Sequence, residues 1–127
     1  MSEPYPKTRQ LARGERRHLR KLASRKEWDK IVAEKRGQCL ICERLGVRPV
    51  SAYMEWHHLV PRARGGDDVA ANIVPLCSLH HHDVTVNNPH ALEALHLMLN
   101  ESERSYCADK MGPEWARRLF GVKRSER

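Results

Sequence analysis

Hydrophobic positions along the chain fall into short groups separated by polar and turn residues. In residues 24–36, Trp28, Ile31 and Val32 recur at i, i+3 and i+4, which is the spacing of one helical face. Ser24 with Glu27 three residues on forms a capping box, and Gly37 supplies the stop. Residues 10–23 carry a narrower stripe (Leu11, His18, Leu19, Leu22) and predict an earlier helix weakened by Gly14. Residues 50–56 lean toward a strand that ends at His57-His58, and residues 72–76 form the returning apolar strand. Between them, 61–68 read as a polar loop around Gly65-Gly66, with Asp67 and Asp68 fixing the turn. A helix is predicted from Ser78 through the histidine cluster, and Asn88-Pro89 opens another with Ala91, Leu92, Leu95 and Leu99 on one face. His96 sits at the edge of that face as a structural residue. A short helix over 102–111 ends at Gly112, and a last one over 113–120 packs through Trp115, Leu119 and Phe120.

These elements describe a small α+β chain. They divide into a basic N-terminal arm or helix (1–23), a strand–loop–strand–helix core (24–87) and a C-terminal helical extension (88–127). The apolar supply is thin for that plan. Of 127 residues, 40% are hydrophobic and 31% charged, with a single Phe. So small a core favours a metal staple.

Four residues offer one. Cys39 and Cys42 stand as C-x2-C, and Cys77 and His80 as C-x2-H. Two close pairs from separate segments suit tetrahedral zinc. His81 competes with His80 for the fourth position, and His82 is read as exposed or supporting. Cys107 lies apart. No apolar run reaches the length of a membrane span and no secretory h-region is visible. The expected setting is therefore a reducing cytoplasm, that of a bacterium or an infected host cell, where close cysteines ligate metals more often than they form disulfides.

Charge adds a partner. The formal net charge is +7, and residues 1–36 hold twelve bases against five acids, so the whole excess lies there. Arg13, Arg16, Arg17 and Arg20 are the densest part. Such an arm suits a polyanion contacted mainly through its phosphates.

The segment 39–82 resembles the HNH endonucleases, the ββα-metal nucleases, in their zinc-containing branch. The resemblance rests on Cys39-x2-Cys42, His57-His58-x-x-Pro61, Gly65-Gly66, Asn72-Ile73 and Leu76-Cys77-x2-His80-His81. One departure is that His80 stands where the pattern has its last zinc cysteine. The resemblance implies a metal-dependent hydrolysis of DNA phosphodiester bonds that leaves 5′-phosphate and 3′-hydroxyl ends. It implies His57 and His81 as ligands of a catalytic divalent ion (Mg2+, Mn2+ or another), His58 as general base, and Asn72 as the residue that bonds across the loop and keeps His58 oriented. Neighbouring residues of a strand point to opposite faces, which would separate His57 from His58. Arg62 and Arg64 flank the loop and are candidate phosphate clamps, whereas Glu55 reads as a plain strand residue. By analogy alone, small chains of this kind are phage or mobile-element nucleases, some with protein partners in packaging machinery. The rival is a non-catalytic zinc module that binds DNA or protein, which would have no use for His58 or Asn72.

Overall fold

The computed structural model describes residues 21–35, 37–48 and 53–122. The elements are α1 (Arg25–Glu34), α2 (Leu40–Leu45), β1 (Met54–His58), β2 (Ile73–Cys77), α3 (Ser78–Thr85), α4 (Pro89–Met98), α5 (Glu101–Met111) and α6 (Trp115–Phe120). Short 3-10 turns at Arg62–Arg64 and Ala70–Asn72 shape the loop between the strands. No helix among the described residues is long and apolar enough to cross a membrane.

β1 and β2 pair antiparallel, with Met54 opposite Cys77, His57 opposite Val74 and His58 opposite Ile73. A two-stranded sheet does not stand alone in water. β2 is buried at every position, and α2 and α3 pack against it. α4 packs on α2 and α3, and α6 joins α4 and α5. The core runs from Ile41, Val60, Val74 and Leu76 through Leu92, Leu95 and Leu99 to Cys107 and Phe120. Cys39, Cys42 and Cys77 lie inside the same cluster, so these candidate metal ligands and the apolar core are continuous.

Local chemistry accounts for the helix ends. Ser24 and Glu27 form the capping box of α1. Asn88 caps α4 by accepting the His90 and Ala91 amides. A second capping box, Asn100 with Glu103, opens α5. Glu103 is buried and also takes the Lys35 ammonium, which donates in turn to the Ala70 carbonyl. That buried pair anchors the end of α1 to α5 and to the turn before Asn72.

Several expectations shift. Of the helix expected over 10–23, residues 21–23 are not helical and the rest lies outside the described residues. The cysteine knuckle is the start of a helix: Cys39 is the N-cap of α2 and its sulfur accepts the Cys42 amide. The first strand begins at Met54, with 49–52 outside the described residues. Asn72 belongs to a 3-10 turn and the second strand starts at Ile73. His96 contacts the rings of Trp115 and Phe120, as a structural residue should.

Candidate metal centre and nuclease site

Two clusters meet at α3. In the first, the sulfurs of Cys39, Cys42 and Cys77 and a nitrogen of His80 all lie within 4.8 Å of one another, and all four residues are buried. His80 Nδ1 stands 3.5 Å from Cys39 Sγ, 3.4 Å from Cys42 Sγ and 3.4 Å from Cys77 Sγ, and Cys42 and Cys77 Sγ are 3.9 Å apart. A tetrahedron with Zn–S of about 2.3 Å and Zn–N of about 2.05 Å has S···S edges of about 3.8 Å and S···N edges of about 3.6 Å. The donor set therefore fits zinc in kind and in size. Burial alone would raise the Cys77 thiol pKa, but the backbone amide of His80, the Cys42 and Cys39 thiols and the Leu79 amide outweigh it and lower it, toward the thiolate a metal needs. His80, not His81, joins the sulfurs.

In the second cluster, His57 on β1 and His81 on α3 stand edge to face, with ring centroids 5.2 Å apart. His81 is adjacent to His80, but one residue is about 100° of helical turn, so its ring leaves on another side. Its Nδ1 bonds Glu55 Oε1 at 2.5 Å. Glu55 lies two residues before His57 and so on the same strand face. It is thus a partner of the histidine pair and not the plain strand residue expected. Burial first, then the neighbouring His81 and His58, push the His57 pKa down to about 4. A ring held neutral in this way keeps one nitrogen lone pair for a metal.

His58 points elsewhere. Its Nε2 is 2.8 Å from Asp68 Oδ1, and Trp28 of α1 stacks on it with centroids 6.0 Å apart. Trp28 therefore packs on the histidine pair's second member.

The loop between the strands is built around Asn72, which is fully buried. Its Oδ1 accepts the Val60 amide at 2.7 Å, and its Nδ2 donates to the carbonyls of Val60 and Asp67, each at 3.0 Å. Asn72 thus bonds across the loop as expected, but it holds backbone and makes no direct bond to His58. The glycine pair serves the same closure. Gly65 has φ +92°, and a Cβ on Gly66 would overlap the Val60 carbonyl and crowd Asn72 Nδ2. Tyr106 and Lys110 of α5 bond Asp67 from outside. Burial opposes ionisation of Asp67, yet Tyr106, the Lys21 amide and Lys110 lower its pKa.

The arginines diverge. Arg62 stays half exposed and gives Nε and Nη2 to Asp68 at 3.0 and 2.9 Å. Arg64 lies on the wall of a cleft of about 430 Å³ that His57, His58, Thr85 and Asn87 also line, with Arg118 of α6. Asn87 is a non-glycine residue at φ +62°, forming the tight turn between α3 and α4. Arg13, Arg16, Arg17 and Arg20 lie outside the described residues. Glu55 and Asp68 are the residues that sequence reasoning undervalued.

Comparison with known proteins agrees with this geometry. No curated protein and no solved structure matches the chain. Residues 39–85, which carry both clusters and the loop between them, match the family model of the HNH endonucleases.

Proposed function

We propose that the chain is a divalent-metal-dependent endonuclease acting on DNA, with a structural zinc at Cys39, Cys42, Cys77 and His80. The observation that carries this reading is the convergence of His57 and His81, at 5.2 Å between rings, beside a cleft that His58 also lines. His57 and His81 would hold the catalytic divalent ion, Mg2+ or Mn2+. Their chemistry fits it: one ring is kept neutral by burial and the other is oriented by a carboxylate. When bound, such an ion offsets charge on the phosphate and the departing 3′ oxygen.

The chain's own groups do the rest. His58 takes the proton from the attacking water. Asn72 holds the backbone on either side of the loop so that His58 stays on the cleft. Arg64 and Arg118 meet phosphates along the wall, and Arg62 contributes through the one guanidinium nitrogen not bonded to Asp68. The basic N-terminal third, with Arg13, Arg16, Arg17 and Arg20, supplies sequence-independent grip.

Nicking of supercoiled plasmid with Mg2+ or Mn2+, against EDTA, tests this. His58→Ala should fold, keep its zinc and lose nicking by about 10²-fold or more. Undiminished nicking by that variant rejects the base assignment. A wild-type protein that binds DNA and never cuts it would instead be a zinc-stabilised binding module.

A further inference from the structure

We propose that Asp68 is the positioning residue for His58. Its carboxylate fixes the imidazole proton on Nε2, leaves Nδ1 as the basic nitrogen, and ties the chain segment at residues 21–23 to the same ring. The catalytic half of this inference rests on the nuclease reading; the tautomer does not.

Asp68 is the most densely bonded carboxylate of the loop. Its side chain is 3% exposed. Oδ1 meets His58 Nε2 at 2.8 Å and Arg62 Nε at 3.0 Å. Oδ2 accepts Arg62 Nη2 at 2.9 Å and the Ala23 amide at 3.0 Å. Arg62 and Ala23 offer only N–H donors, so they favour the ionised form of the acid. Burial by itself would raise the Asp68 pKa, but Arg62, His58 and Ala23 together take it down to about 2. An ionised carboxylate can only accept. The imidazole nitrogen facing it must therefore be the donor, which selects the Nε2–H tautomer and leaves the lone pair on Nδ1.

Asp68 is itself held in place. The loop that carries it is closed by Asn72 on the Asp67 carbonyl and by the Gly66 amide on the Pro61 carbonyl. Trp28 lies against the His58 ring and restricts its rotation. The ring is thus fixed by a hydrogen bond to a carboxylate on one side and an aromatic face on another. The same loop edge receives the chain leading out of the basic arm: Asp68 N donates to the Lys21 carbonyl, Lys21 N donates to Asp67 Oδ1, and Ala23 N donates to Asp68 Oδ2. Residues 21–23 and the base share one carboxylate.

The decisive measurement needs no substitution. Nitrogen-15 correlation spectra of the zinc-loaded full chain at about pH 8 should show His58 protonated on Nε2. A His58 protonated on Nδ1 overturns the proposal. Asp68→Asn and Asp68→Ala should convert His58 to a mixed tautomer and lower kcat for plasmid nicking by on the order of 10²-fold. KM should move less than about threefold, with zinc content unchanged. A kcat within about twofold of wild type, or a KM that rises as much as kcat falls, overturns the positioning role. If the variants do not fold, the wild-type tautomer alone decides. If the wild-type chain proves inert on DNA, the nuclease reading fails while the tautomer still tests Asp68.

Discussion

Replacing Asn72 by Ala removes three hydrogen bonds from a wholly buried site. The Val60 amide, itself fully buried, loses its acceptor. A stranded buried donor costs about 1–3 kcal/mol, and the two lost donations to carbonyls add about 1 kcal/mol each. The expected loss is thus about 3–5 kcal/mol, a large share of the roughly 5–15 kcal/mol that holds a domain this size together. At about 4 °C per kcal/mol the melting temperature should fall by about 12–20 °C. Far-UV circular dichroism with the zinc retained measures this, and hydrogen exchange at the Val60 amide should accelerate. Gly66→Ala reaches the same closure by a steric route, since its Cβ overlaps the Val60 carbonyl; about 1–3 kcal/mol is expected there. Asn72→Asp keeps the acceptor for Val60 but turns an anionic oxygen toward two carbonyls, and should be no better than Ala. Should Asn72→Ala melt within about 4 °C of wild type, the loop is not held by this side chain. In that case any loss of nicking would have to come from direct action on substrate.

The zinc set should bind one ion per chain, and Cys77→Ser or a chelator should abolish cooperative melting. Metal affinity worth an apparent ~10–16 kcal/mol exceeds the stability of most small folds, and an unchanged melting curve under chelation would remove the staple. Glu55→Gln should weaken Mn2+ binding by about 10–100-fold in calorimetry while leaving zinc content alone; equal affinity would detach Glu55 from the site. His57 has a folded pKa near 4, below its ordinary 6.5. As pH falls from about 6.5 toward about 4, the unfolded chain takes up a proton that the folded chain refuses. The stability tied to the neutral ring is complete above that window and is lost at up to roughly 1.4 kcal/mol per pH unit within it. Melting of wild type should therefore drop more steeply between those limits than melting of His57→Gln, which shares the zinc site and its own acid sensitivity; parallel curves would refute the shift.

Much of this site was legible because its spacing is local. Cys39 with Cys42, Cys77 with His80, and the capping box of α1 declare themselves within four residues. The strand–loop–strand–helix order followed from apolar runs bounded by turn residues. What escaped depends on the path of the chain. Asp68 reaches His58 only because a 3-10 turn, Gly65 in the left-handed region and Gly66 against Val60 fold ten residues back on themselves. Trp28 meets His58 from thirty residues upstream, and no periodicity in α1 says which partner its apolar face will find. Helix α2 has six residues, too few for a hydrophobic period, and its cap is a sulfur that a metal motif does not advertise as one. Glu55 was readable: its two-residue spacing from His57 puts both on one strand face, which is a reason to give it a role.

The two clusters are joined in one direction more firmly than in the other. Cys77 closes β2 and caps α3, and His80 lies in the first turn of that helix, so the sulfur cluster fixes both where α3 starts and how it is rotated against α2 and β2. His81 inherits its position from that rotation, and with it the 5.2 Å approach to His57. Loss of the zinc set therefore releases the helix that carries His81, and the second site should go with it. The reverse does not hold. His57 and Glu55 sit on β1, whose register is set by backbone pairing with β2 and not by their side chains. Removing either side chain leaves Cys77 and His80 where they are. Metal added to a His57→Ala chain should thus still fill the sulfur site at full stoichiometry, whereas no divalent ion should bind at His81 in a chain stripped of zinc.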